Sequence, residues 1–141
     1  MMFLPELDIN ATKANAKRKL REYPRWRRIA NDIDKQKITS SFSFEPRQKY
    51  SSPNKAVETI AINRVDAELE LEAIEQAVNG IEDQLLRKII YLKYLSPQKV
   101  RDKEIYMDML YSETFFYNKL SEAIVCFAEI YRGGELLCWK I

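Results

Sequence analysis

The chain has 141 residues, the size of one ordinary domain, and 46% of them are hydrophobic while glycine occurs only three times. This composition excludes a disordered or repetitive chain and favours helix. The formal net charge is +2, and histidine, the commonest general base and metal ligand, is absent. No glycine-rich phosphate loop or paired-cysteine metal site occurs. We therefore expect neither an enzyme nor a bound metal or cofactor. With no membrane-spanning run and no export leader, we expect a cytoplasmic location without membrane contact.

Residues 1–34 are predicted to form a basic helical arm. A helix is favoured from Thr12 to Ile33, with Asn10 or Thr12 available as its cap, and Pro24 either divides it into two short helices or kinks it. Such a density of cations is typical of contact with phosphate or with an acidic protein surface, and a solvated helix face is the alternative. The candidate phosphate contacts are Lys13, Lys17, Arg18, Arg21, Arg25 and Arg28.

Residues 35–56 are predicted to be a linker, because serine and proline recur there without a helical period. Phe42, Phe44 and Tyr50 make this segment more aromatic than a free tether needs. Part of it is therefore expected to lie on a surface or to form a strand-like contact.

Residues 57–80 are predicted to form an acidic packing helix from Val57 to Asn79, stopped by Gly80. One apolar stripe at helical spacing is expected to be buried: Ile60, Ala67, Leu71, Ile74 and Val78. A second stripe lies on a different side: Ile62, Val65 and Leu69. The second stripe predicts a second packing partner, either the N-terminal helix of the same chain or the equivalent helix of another copy.

Residues 81–132 have the spacing of a trihelical unit. A helix from Glu82 to Leu95 is followed by a loop, and Asp102 is placed to cap a short helix, Lys103–Met109, with Ile105 and Met109 facing inward. Leu110 and Tyr111 form a turn, and Ser112 caps a longer helix that runs to about Tyr131. Its inward residues repeat at helical spacing: Phe116, Leu120, Ala123, Ile124 and Phe127. This layout fits either a DNA-binding helix-turn-helix or an ordinary helical bundle. Residues 133–141 form an apolar tail expected to cover a groove, in cis or on a second copy.

In a helix-turn-helix, the start of the last helix enters the major groove. The outward residues there are the candidate base readers, namely Ser112, Glu113, Thr114, Tyr117 and Asn118. Lys119 is better placed for a phosphate, as are Arg101 and Lys103 at the start of the supporting helix.

Two family resemblances support the DNA-binding alternative. The stretch from Leu86 to Ala123 resembles the promoter-reading fourth region of bacterial sigma factors, with Glu104-Ile105 and Ser112 in characteristic places. Leu110 departs from that pattern, because sigma-type units usually have a glycine there. Nearly the full chain resembles the ArpU family of phage-encoded late-gene regulators. The matching motifs are Phe3-Leu4-Pro5-Glu6, Ile38-Thr39-Ser40-Ser41, Glu45-Pro46-Arg47, Arg64-Val65-Asp66-Ala67-Glu68, Tyr111-Ser112-Glu113, Phe116-Tyr117, Phe127-Ala128-Glu129 and Tyr131-Arg132-Gly133-Gly134.

The resemblance implies an all-α regulator with a sigma-like helix-turn-helix that binds the promoter of a phage or prophage late operon. Double-stranded DNA is the expected partner, with host RNA polymerase and a second copy of the chain as further candidates. The alternative is a helical adaptor that bridges polymerase and another regulator without reading bases.

Overall fold

The computed structural model describes residues 2–30 and 53–141, with side chains described in 2–30 and 64–141. Within these ranges the fold is all-α, as the sequence predicted. None of the described helices is long and apolar enough to cross a membrane. The helices are α1 (Ile9–Ala30), α2 (Pro53–Asn79), α3 (Gln84–Ile90), α4 (Asp102–Asp108) and α5 (Glu113–Ile130), and α3 continues as a π-helical turn over Tyr91–Leu95.

Asp8 caps α1, so the prediction of Asn10 or Thr12 is wrong. The Asp8 carboxylate accepts a hydrogen bond from the Ala11 amide at 3.1 Å, and its main-chain oxygen accepts one from the Thr12 amide at 3.0 Å. Thr12 is fully buried, and its hydroxyl instead accepts a hydrogen bond from the Cys138 amide at 2.9 Å. The residue therefore connects α1 to the C-terminal tail.

Pro24 lies inside α1, which continues on both sides of it. Proline removes the N–H that would bond the carbonyl four residues earlier, at Leu20. Leu20 and Tyr23 are buried, and the Tyr23 hydroxyl donates a 2.7 Å hydrogen bond to Glu75. These contacts stabilise the helix before Pro24, and the residues on both sides of Pro24 form one helix and not the two short helices of the first predicted alternative. The predicted end at Ile33 lies outside the described residues.

α2 begins at Pro53, before the predicted start at Val57, so residues 53–56 are helical and not linker. Proline suits the first helical position because its missing N–H needs no partner there. The helix ends before Gly80, as predicted. A Cβ atom on Gly80 would lie 3.3 Å from the Ile130 side chain at the end of α5, so glycine permits this close approach. The remainder of the predicted linker lies outside the described residues, and so does the strand-like contact that was expected there.

The two predicted apolar stripes of α2 differ in burial. Val65 and Leu69, of the second stripe, are 53% and 57% exposed. The side chains of Ile60 and Ile62 lie outside the described set. In the first stripe, Ala67, Ile74 and Val78 are buried, and Leu71 is half-buried.

The described residues divide into two compact units. One contains the residues up to Tyr23 and from Ala73 onward, and the other contains those between Pro24 and Glu72. The first unit holds most of the large buried side chains, and these include Leu20, Ile74, Ile81, Ile89, Ile90, Phe116, Ile124, Phe127 and Tyr131.

The segment before α1 pairs with the C-terminal tail. Leu7 and Trp139 form an antiparallel bridge. Two main-chain hydrogen bonds of 2.8 Å flank the bridge: Asp8 N to Cys138 O, and Lys140 N to Glu6 O. We call this pairing, of residues 5–8 with 138–141, the ribbon. The predicted tail therefore makes its observed contact in cis, with a segment for which the sequence analysis predicted no contact.

Candidate nucleic-acid interface

α5 packs on α3 and α4 through one buried face. The predicted inward residues of α5 are all buried, which confirms the interpretation of its spacing: Phe116, Leu120, Ala123, Ile124 and Phe127. On α4, Ile105 is buried as predicted, while Met109 is half-buried. The buried face fixes which side of α5 is left for a partner.

The caps of α4 and α5 set where these helices begin. Ser112 caps α5 as predicted, because its hydroxyl accepts a 3.1 Å hydrogen bond from the Phe115 amide. Asp102 was predicted to cap α4, but it is the first helical residue and the N-cap is Arg101. The Glu104 carboxylate accepts a 3.2 Å hydrogen bond from the Arg101 amide, and this leaves the Asp102 carboxylate available for another role.

The turn between α4 and α5 depends on an unusual leucine conformation. Leu110 has φ of 61°, in the left-handed region that favours glycine. Its amide donates to Met107 O at 3.1 Å, and the Tyr111 amide donates to Tyr106 O at 2.9 Å. Leu110 therefore holds a left-handed conformation in this turn, at a cost of about 1–2 kcal/mol.

The predicted base readers lie together on the outer side of the start of α5. Ser112, Glu113, Thr114 and Asn118 are exposed, and Tyr117 is 42% exposed. This side lies opposite the residues that pack inward, so the polar positions form one continuous surface over the first turns of the helix.

Three of these candidates already interact within the chain. The Ser112 hydroxyl serves the helix cap, the Tyr117 hydroxyl donates to Asp102 at 3.0 Å, and Glu113 raises the pKa of the Tyr106 phenol. Thr114 and Asn118 make no side-chain hydrogen bond within the described part of the chain. Their donors and acceptors are therefore directly available to a ligand.

Two tyrosine pKa values reflect this network. The hydrogen bond to Asp102 is the largest cause that raises the pKa of Tyr117 above its ordinary value, and desolvation adds to it. Desolvation, followed by the charge and hydrogen bond of Glu113, raises the pKa of Tyr106. Both phenols are consequently neutral donors near pH 7.

The Asp102 carboxylate connects three elements. It lies 2.7 Å from the Lys93 ammonium in the π-helical turn, and it accepts the hydrogen bond of Tyr117 from α5. Sequence analysis missed this contact, because the aspartate matched a helix cap. The available signal in the sequence was an acidic residue at the start of a helix. No local spacing relates Asp102 to Tyr117.

The predicted phosphate contacts around this surface differ in availability. Arg101 and Lys103 are exposed at the start of α4. Lys119 forms a 3.2 Å ion pair with Glu122, and its ammonium lies 5.5 Å from the centre of the Phe115 ring. Arg101 and Lys103 are therefore better placed than Lys119 to meet an anion.

The basic residues of α1 lie in both compact units. Lys13, Lys17 and Arg21 recur every four residues, which places them along one side of the helix. Arg18 is exposed, with its guanidinium 3.8 Å from the Glu22 carboxylate. Lys13 and Lys17 are half-buried, whereas the other arm candidates are exposed: Arg18, Arg21, Arg25 and Arg28.

These features define a small all-helical protein in which a tight turn joins two helices and the second helix begins with an exposed polar surface. The chain is 50% identical over 136 residues to a protein of Streptococcus phage O1205, covering 96% of this chain and 98% of the relative. It is 31% identical over 144 residues to a protein of Enterococcus hirae, covering 99% and 100% respectively. Both relatives are named "Putative autolysin regulatory protein ArpU". The chain belongs to the ArpU family, which confirms that resemblance. No protein-family model and no solved structure matches it.

Proposed function

We propose that this protein is a sequence-specific DNA-binding transcription regulator that reads a promoter of a phage or prophage late operon through α5. α4, the turn and α5 would act as a sigma-like helix-turn-helix, with α5 in the major groove. The action takes place in the cytoplasm of the bacterial host, beside host RNA polymerase. The regulatory names of both relatives, and the phage source of one, support this assignment.

The observation that carries the proposal is the division of α5 into two faces. Phe116 and Leu120 are buried, while Thr114 and Asn118 on the outer side are exposed and have unused hydrogen-bonding groups. A polar outer face is common to amphipathic helices, and what supports the proposal is that this face begins directly after the tight turn between two helices. A recognition helix places its first residues against base edges in this way.

The candidate residues would make different contacts with DNA. Asn118 matches the donor and acceptor pair on the major-groove edge of adenine, and the Thr114 methyl fits the methyl group of thymine. The Tyr117 hydroxyl is held by Asp102, so Tyr117 would contribute its ring. Arg101 and Lys103 would bind phosphates and fix the register of α5.

A binding experiment tests the assignment. The full chain would select its preferred site from duplexes with a randomised centre, and fluorescence anisotropy would then measure affinity for that duplex and for a scrambled one. Thr114→Ala and Asn118→Ala should each weaken binding to the selected site by roughly five- to 150-fold, because one base contact contributes about 1–3 kcal/mol. Binding to the scrambled duplex should be nearly unchanged.

Asn79→Ala is the matched control, since it truncates an exposed amide outside α5. It should alter neither affinity. If the wild-type chain selected no site over competitor DNA, or if both α5 variants bound the selected site like the wild type while keeping their helical circular dichroism, direct reading by α5 would be wrong.

A second candidate function is a protein adaptor that bridges RNA polymerase and another regulator. The exposure of Val65 and Leu69 on α2 favours it, because exposed apolar stripes commonly bind a partner. An adaptor would not select a duplex, so the selection experiment separates the two functions. Val65→Ser with Leu69→Ser should leave DNA selection intact if α5 reads the site.

A further inference from the structure

A cleft of about 540 Å³ lies beside α3, with further lining from α1, the end of α2 and the π-helical turn. Within the described part of the chain, no residue of α4 or α5 lines it. Small-molecule sites commonly have volumes of about 300–1,000 Å³, so the cleft has room for an organic ligand. It is separate from the candidate DNA interface.

The deepest part of the cleft is apolar. Val78 of α2 and Leu95 of the π-helical turn line it and are 3% and 7% exposed. Tyr91, at the start of the same turn, also lines it and is 46% exposed. The cleft therefore offers aliphatic and aromatic surface to an apolar group of a ligand.

Two cations, Arg87 and Lys88, also line the cleft. The Arg87 guanidinium is fixed by the main chain: Nε and Nη2 donate to Ile81 O at 3.0 Å and 2.8 Å, and Nη2 also donates to Glu82 O at 3.3 Å. Arg87 Nη1 and the Lys88 ammonium make no hydrogen bond to any described residue. A guanidinium that is already fixed loses little further freedom when it binds an anion.

One carboxylate, Glu75, lines the cleft as well. Its Oε2 accepts the 2.7 Å hydrogen bond from the Tyr23 hydroxyl, so this oxygen already has a donor. Two cations against one carboxylate leave the lining with a positive balance of one charge. The electrostatic balance therefore favours an anion over a cation.

The π-helical turn is an independent indication of a binding site. The Ser96 amide donates to Tyr91 O, five residues earlier, at 2.8 Å. Turns of this kind are rare and frequently lie at functional sites. Tyr91 and Leu95 are the first and last residues of the turn, and both line the cleft.

We propose that this cleft binds a small organic anion in which an acidic group is joined to an apolar ring. The acidic group would accept hydrogen bonds from Arg87 Nη1 and the Lys88 ammonium, and the ring would pack against Tyr91, Val78 and Leu95. Such a ligand uses both features of the lining. Inorganic phosphate would leave the apolar part uncovered, and a hydrocarbon would leave the two cations without a partner. The proposal does not depend on whether α5 reads DNA.

A pair of fluorescent probes tests the proposal on the full chain. Anilinonaphthalene sulfonate carries an acidic group on aromatic rings, and phenylnaphthylamine has similar rings without the charge. The sulfonate probe should bind saturably, with one probe per chain. Lys88→Glu should raise the dissociation constant of the sulfonate probe at least about fivefold, because it replaces an attractive charge with a repulsive one. It should change the dissociation constant of the uncharged probe less than about twofold.

Lys99→Glu is the matched control, since it makes the same charge change at an exposed lysine that does not line the cleft. It should leave the binding of both probes unchanged. Tyr91→Ala should weaken both probes, whereas Val65→Ser with Leu69→Ser should weaken neither, because these two exposed residues do not line the cleft. Helical circular dichroism confirms that each variant is folded.

Three results would overturn the proposal. The first is a folded wild-type chain that shows no saturable binding of the sulfonate probe. The second is a Lys88→Glu variant that binds this probe as tightly as Lys99→Glu does, and the third is one that loses both probes equally.

Discussion

The Tyr117 hydroxyl donates a 3.0 Å hydrogen bond to Asp102 Oδ2, from the second turn of α5 to the first residue of α4. The other carboxylate oxygen of Asp102 accepts a 2.7 Å hydrogen bond from Lys93 in the π-helical turn. The Tyr117 ring also meets the Phe116 ring edge-on, with centroids 5.1 Å apart. One carboxylate thus fixes the direction of a side chain on the proposed reading surface.

Asp102→Ala should lower the pKa of Tyr117 toward its ordinary value of 10.0, because it removes the largest cause of the upward shift. Folded-state stability from this bond is fully present below pH 10 and is lost as the pH rises through the raised pKa. The ultraviolet absorbance of phenolate measures the change, as the difference between titrations with and without Tyr117→Phe. Asp102→Asn keeps an acceptor oxygen and should shift the pKa less. Identical difference titrations for wild type and Asp102→Ala would show that the bond is not formed in solution.

Leu110→Gly should stabilise the protein by about 0.5–1 kcal/mol. Glycine adopts the left-handed φ of 61° without steric cost, and this relief exceeds the entropy that glycine adds to the unfolded chain. The Leu110 side chain is 91% exposed, so its loss removes little packing. Urea unfolding gives the free energies. Leu110→Ala keeps the Cβ atom and should be close to neutral. A glycine variant less stable than the alanine variant would show that the backbone of Leu110 is not strained.

Leu120→Ala should destabilise the protein by about 2–5 kcal/mol, because the side chain is 6% exposed on the inward face of α5 and its removal leaves a cavity. DNA binding should then fail through unfolding, as seen by thermal melting. Met107→Ala removes a long apolar side chain that is 59% exposed and should cost much less. If Leu120→Ala melted like the parent yet lost DNA binding, the two faces of α5 would be reversed.

Local periodicity explains what the sequence predicted well. Residues three and four positions apart share a helix face, so the spacing of Phe116, Leu120 and Ile124 was enough to identify the buried side of α5. A serine before that run marked its cap at Ser112. The same rule identified Ile74 and Val78 on α2.

Contacts between distant segments explain the rest. Asp8, Asn10 and Thr12 are all acceptable caps by residue type, and Thr12 is taken out of this choice by its contact with Cys138, a residue 126 positions away. Asp102 likewise satisfied a local rule, although its partner is Tyr117. Side-chain type restricts such contacts but does not specify them, because they depend on how the helices pack.

Substitutions, and not a deletion, are needed to test whether α1 contacts DNA. Ala16 and Leu20 are fully buried, so removing the first 34 residues would damage the core of the protein along with any phosphate contact. The ion pairs of this helix on the surface, such as Arg18 with Glu22, contribute little to stability. Neutralising the cations of α1 therefore separates DNA contact from folding.

Replacing Lys13, Lys17, Arg18 and Arg21 together with glutamine should reduce the slope of log affinity against log salt by about 3.6, if each cation neutralises one phosphate and contributes about 0.9. Affinities for the selected duplex and for a scrambled duplex should fall by similar factors, because base reading by α5 is unchanged. Fluorescence anisotropy over a series of salt concentrations measures the slope for each of the two duplexes. Lys88→Gln, at an exposed lysine on α3, is the control and should lower each slope by no more than the effect of one charge. Under the rival interpretation, the basic residues of α1 stabilise the fold of the protein and do not contact DNA. The substituted chain would then melt at a lower temperature while its DNA binding kept the full wild-type slope, and that result would reject the phosphate contact.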